Sequence, residues 1–177
     1  MPDLMRFTIL GCGSSPGVPR ITGDWGACDP LNPKNRRRRA SLLIERISEN
    51  GGKTTVVIDT GPDFRDQMIT SGVTSLDGVV YTHAHADHIH GIDDLRGFWL
   101  EQKRLIDVYA DAFTLQRLRE GFGYIFDKPT DSSYPPIVLA HEIAHGEAFE
   151  ISGNGGAIRF EPLTQDHGSI QSLGFRI

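Results

Sequence analysis

Four of the seven histidines lie between positions 83 and 90, in the run Tyr81-Thr82-His83-Ala84-His85-Ala86-Asp87-His88-Ile89-His90-Gly91. An apolar stretch ending Val79-Val80 precedes it and reads as a strand. A segment leaving the end of a strand can aim all of these side chains into one cleft. In an extended chain His83 and His85 share a face, because side chains alternate with period two. Both can therefore grip one ion. A turn after Ala86 makes Asp87 and His88 neighbours on a tight bend, where they can serve a second ion. Imidazole nitrogen and carboxylate oxygen are the donors that zinc, manganese and iron accept. Ions paired about 3.5–4 Å apart suit a displacement at phosphorus, since they clamp both the attacking and the leaving oxygen. His90 sits past the motif and reads as supporting or substrate-facing.

The rest of the chain alternates strands and helices. Strand candidates are 6–10, 41–47, 54–59, 78–82, 106–110, 137–140, 157–163 and 172–177, and Asn50-Gly51-Gly52 is a hairpin signal between the second and third. Helix candidates are 62–70 with proline at the first helical position, about 92–103, and 111–120. Together with a length of 177 residues, this predicts a single α/β (α+β) domain over 1–177 with one core.

Composition narrows the function class. The net charge of −5 argues against a nucleic-acid coat or a membrane-surface protein, both of which usually carry a basic excess. The N-terminus has no signal-peptide pattern and no apolar run approaches a membrane span, so the reading is a soluble cytoplasmic protein. Cys12 and Cys28 form neither a disulfide framework nor a close-spaced zinc knuckle.

Between Gly11 and Arg39 the chain is long and aperiodic, which favours a functional rim. Ser14 and Ser15, with the amide of Gly13, are candidates to receive a phosphate; the same residues equally suit a plain tight turn. The basic run Arg36–Arg39 reads more readily as a solvated face than as a nucleic-acid patch or part of a phosphate pocket. Arg96 has two readings of equal weight, a guanidinium fork on a substrate phosphate or an ion pair with Asp93 or Asp94. His141 and His145 carry only a weak ligand reading.

His83-x-His85-x-Asp87-His88 followed by Gly91 resembles the metal-binding motif of the metallo-β-lactamase superfamily. The glycine-rich segment Gly11-Cys12-Gly13-Ser14-Ser15-Pro16-Gly17-Val18-Pro19, the strand-Asp-x-Gly element Val56-Val57-Ile58-Asp59-Thr60-Gly61 and the segment Gln165-Asp166-His167-Gly168 are similar to further elements of it. Within the superfamily, the chain looks most like the phosphoribosyl 1,2-cyclic phosphate phosphodiesterase group. The resemblance implies an αββα sandwich, with His167 as a third ligand to the first ion and Asp166 beside it to orient the ring. It also implies Asp59 as a hydrogen-bonding support for the metal loop, against the alternative of an ordinary turn-forming aspartate. Counting ligands, the second ion has only Asp87 and His88. Relatives complete the set with a later aspartate and histidine, so the expectation is the N-terminal portion of such a domain.

The implied function is a hydrolase with two divalent ions, zinc or manganese, cleaving a small phosphodiester with water activated by the ions. Asp87, or a nearby histidine, is the catalytic candidate to supply a proton to the leaving oxygen. The implied partners are a small phosphate-containing substrate or nucleotide and a second copy of the chain as a homodimer, with long nucleic acid disfavoured. Two alternatives stay open: ribonuclease Z-like tRNA processing, and a non-catalytic nucleotide-binding module with an incomplete metal site.

Overall fold

A computed structural model describes residues 3–128, 130 and 133–177. Its larger sheet has six strands in chain order: β1 (Leu4–Gly11), β2 (Ser41–Ile47), β3 (Lys53–Ile58), β4 (Gly78–Val80), β5 (Ile106–Ala110) and β6 (Val138–Glu142). The first three are antiparallel and the last four parallel. Each parallel step needs a crossover. The crossovers carry α1 (Phe64–Ser71), then α2 (Ala86–Ile89) and α3 (Leu95–Gln102), then α4 (Ala112–Phe126). A second, antiparallel sheet holds β7 (Phe149–Gly153), β8 (Gly156–His167) and β9 (Ile170–Arg176).

Strand alternation explains the layering. Leu43, Val57 and Val79 point to one face of the large sheet, where Phe64, Met68, Ile89, Leu95, Leu115 and Leu118 bring all four helices against them. Their neighbours Ile44, Val56 and Val80 point to the other face and pack on Ile151, Ile158, Phe160 and Leu173 of the small sheet. The order is therefore helices, sheet, sheet, and among the described residues no helix lies on the outer face of the small sheet. Of the expected αββα sandwich, this is the first three layers.

Several boundaries differ from the sequence reading. Pro62 is not the first helical residue: α1 begins at Phe64 with Asp63 at the cap position, and the Asp63 carboxylate is taken up instead by the Arg39 side chain at 3.0 Å and the Arg39 amide at 2.8 Å. The 92–103 helix is split into a 3₁₀ turn, Ile92–Asp94, and α3. The 111–120 helix starts with Asp111 as its cap, accepting from the Thr114 amide at 2.7 Å, and continues through the glycines to Phe126 with a break at Phe122. Strand β7 was not expected, since Phe149-Glu150-Ile151-Ser152-Gly153 is too short and polar to stand out. Strand β8 runs four residues further than expected, so that His167 ends a strand instead of following one.

The basic run is neither a solvated face nor a phosphate pocket throughout. Arg39 pairs with Asp63, and Arg38 reaches Asp66 at 2.8 Å and Thr70 at 2.7 Å, so two of its four residues fasten α1 to the long loop. Cys12 and Cys28 are free and exposed. Among the described residues, no helix is long and apolar enough to cross a membrane.

Candidate metal centre

The parallel strands β3 and β4 end side by side, and the site forms just beyond their C-terminal ends, where open α/β sheets usually place ligands. Asp59 follows β3 and is buried, with a positive φ of 63° that few non-glycine residues adopt. Its Oδ1 accepts from the Thr82 amide at 2.8 Å. Its Oδ2 accepts from Thr82 Oγ1 at 2.8 Å and lies 2.7 Å from His88 Nδ1. The metal loop is further fixed by backbone bonds from Thr60 N to the His88 carbonyl and from Gly91 N to the Thr60 carbonyl.

These contacts aim the rings. Thr82 Oγ1 engages His83 Nδ1 at 2.9 Å, which leaves His83 Nε2 facing His85 Nδ1 at 3.1 Å. His167 arrives from the other sheet with its ring centroid 4.7 Å from that of His83 and 5.1 Å from that of His85. One ring nitrogen from each of the three lies within 4.8 Å of the others. Tetrahedral zinc with Zn–N bonds of about 2.0–2.1 Å sets its nitrogens roughly 3.3 Å apart, so this donor set fits one divalent ion after a small closure. Beside it, His88 Nε2 lies 3.4 Å from Asp87 Oδ2, and the His83 and His88 ring centroids are 4.0 Å apart. With Nδ1 of His88 held by Asp59, Nε2 is the nitrogen free to bind a second ion together with Asp87.

Electrostatics prepares His83 for a cation. Burial, reinforced by the His88, His85 and His167 rings, pushes the His83 pKa down to about 4. It is therefore neutral at pH 7, the form that ligates. For His88 burial also opposes the charged form, but the Asp59 hydrogen bond and the Asp59 and Asp87 charges outweigh it and raise the pKa.

The remaining candidates separate by position. His90 is exposed and lines a cleft of about 700 Å³ with His85, Ile89, Arg117, Glu120 and Phe122. The last three come from α4 and were missed in the sequence, where an amphipathic helix gives no sign of which surface residues face a site. Arg96 takes the ion-pair alternative, with Asp93 at 3.1 Å, and lines a groove between α1 and α3 that shares no lining residue with the histidine cluster. Asp166 does not orient His167. The two are successive residues of β8, opposite Gln171 and Ile170, so their side chains leave opposite faces. Ser14 and Ser15 are exposed in a tight turn closed by the Gly17 amide on the Ser14 carbonyl at 2.8 Å, and neither lines the His85 cleft. His141 pairs with Asp107 at 2.6 Å, and His145 Nδ1 accepts from the Thr164 amide.

Residues 54–177, well over half of the chain, match the family model described as the beta-lactamase superfamily domain. The chain belongs to the metallo-β-lactamase superfamily. The crystal structure of a diphosphatase from the PhnP family superposes on 98% of this chain with a TM-score of 0.78 at 35% identity. The metallo-β-lactamase fold protein YhfI from Bacillus subtilis is similar in fold, with a TM-score of 0.59 at 14% identity over 99% of this chain and 58% of its own. Among curated proteins, an octanoyltransferase of Porphyromonas gingivalis (strain ATCC BAA-308 / W83) is 36% identical over 98% of this chain. A ribonuclease Z of Mycobacterium sp. (strain KMS) is 26% identical over 98%. This superfamily member spans 33% of the Porphyromonas protein, 57% of the mycobacterial one and 63% of the diphosphatase.

Proposed function

We propose that the protein is a metal-dependent hydrolase of small phosphodiesters or diphosphates, of cyclic or nucleotide-like form. The observation that carries this reading is the convergence of His83, His85 and His167 from two different sheets, with Asp87 and His88 alongside. Similarity to the PhnP-family diphosphatase supports phosphorus as the centre attacked. Bound divalent ions, zinc or manganese, would supply an acidified water and neutralise charge developing on phosphate oxygens. His83, His85 and His167 would hold one ion, and Asp87 with His88 the other. Asp59 holds the Nδ1 side of His88, so that Nε2 stays directed into the site. The Asp87 carboxylate can take up the proton that the acidified water releases and pass it to the departing oxygen.

The test is hydrolysis of bis(p-nitrophenyl) phosphate by the zinc- or manganese-loaded chain, with metal content measured in parallel. His85→Ala and Asp87→Ala are expected to lose both bound metal and turnover. Wild-type turnover in either variant overturns the assignment. The ribonuclease Z reading draws on the mycobacterial match, but half of the basic run that would grip RNA is engaged on α1. Cleavage of a precursor tRNA with no diester activity on the small substrate would favour it.

A further inference from the structure

The cleft beside His85 has a wall that the hydrolytic chemistry does not use, and α4 builds it. That helix leaves helical geometry at Phe122, φ −133° and ψ 29°, between Gly121 and Gly123. Both glycines have open space where a Cβ would stand, so neither is there to relieve crowding. The broken turn sets the Phe122 ring edge-on to His90, with centroids 5.9 Å apart at 73°. About one turn earlier, Arg117 Nη1 donates to Glu120 at 2.7 Å. A guanidinium has five N–H donors. Glu120 therefore steadies Arg117 while donors remain for a ligand oxygen. A volume of about 700 Å³ is that of a small-molecule site, and His85 opens the same cleft onto the metal centre.

We propose that this cleft seats the organic group that stays on the phosphate after cleavage, and that Phe122 and Arg117 decide which group that is. Phe122 with His90 offers aromatic surface to a ring, and Arg117 donates to that group's oxygen atoms. The class selected is a ring-bearing, oxygen-rich group of nucleoside size in preference to a simple alkyl. This assignment rests on the phosphodiesterase reading of the neighbouring site. Arg117 and Phe122 are specificity-determining residues in it and take no part in bond cleavage.

The experiment compares kcat/KM of the metal-loaded chain for thymidine 5′-p-nitrophenyl phosphate and for methyl p-nitrophenyl phosphate. The variants are Arg117→Gln, Phe122→Leu and, as a control outside the cleft, Arg119→Gln, whose side chain pairs with Asp127. Loss of a charged hydrogen bond should lower kcat/KM of Arg117→Gln about tenfold on the thymidine ester and less than about twofold on the methyl ester. Phe122→Leu should shift in the same sense and Arg119→Gln should match the wild type. Equal losses on both esters, or no loss on the thymidine ester, overturn the assignment. Binding of thymidine 5′-monophosphate, measured by calorimetry, separates the two proposals. If neither ester is turned over, the hydrolase reading fails, while weaker binding to Arg117→Gln sustains the cleft; equal or undetectable binding in wild type and variant sinks it.

Discussion

Asp59 carries more of the site than any side chain that would touch metal. One carboxylate accepts from the Thr82 amide and the Thr82 hydroxyl and holds His88, at a backbone conformation unusual for its residue type. Such strain persists where surrounding contacts over-determine it. Asp59→Asn keeps the shape but turns a donor toward His88 Nδ1 or the Thr82 hydroxyl. Partners behind a ligand are typically worth about 10–100-fold in metal affinity. Zinc titration of Asp59→Asn should show a loss in that range with an unchanged circular dichroism spectrum; wild-type affinity would reduce Asp59 to a turn residue. Asp59→Ala should cost more in stability, about 1–3 kcal/mol, because the Thr82 amide loses its acceptor. Urea unfolding measures it.

At the scale of elements, the metal loop is held by close approach of backbone to backbone. A Cβ added at Gly61 would stand 2.1 Å from the Asp87 carbonyl oxygen, and one at Gly91 would stand 2.3 Å from that of Gly61. Neither obstacle is a flexible side chain. Gly61→Ala must push the segment bearing Asp87 and His88 away from Asp59, so metal affinity and the melting temperature should both fall. Gly97, in the first turn of α3, meets nothing within 4 Å. Gly97→Ala should stabilise by roughly 0.5–1 kcal/mol through helix propensity and leave zinc binding unchanged. Thermal melts of the two variants, with and without zinc, separate the roles; a Gly61→Ala protein with full metal affinity would show that the loop is not held as described.

Across the whole molecule, the site is a joint between two sheets. His83 and His85 leave the large sheet, His167 ends β8 of the small one, and the Leu173 amide of β9 bonds the Thr82 carbonyl at 2.8 Å. An ion held by all three histidines would tie the layers together. At a hundredfold excess over its Kd, zinc should add about 2.7 kcal/mol per site. For a chain of this size that amounts to a rise of roughly 5–10 °C in Tm. His167→Ala should abolish most of the rise while leaving the metal-free Tm near wild type, since His167 is exposed. An undiminished rise would mean that the ion sits on the large sheet alone. The strand-end histidine run and strands such as 41–47 and 54–59 were legible in the linear chain, because period and spacing are local properties. They specify where strands end, which residues can share a face, and that imidazoles and a carboxylate gather at one point. What α4 contributes to the cleft, that Arg96 turns to Asp93, and that Asp166 points away from His167 were decided only in three dimensions. Each depends on how elements distant in sequence pack, and on which of two faces a strand turns toward its neighbour.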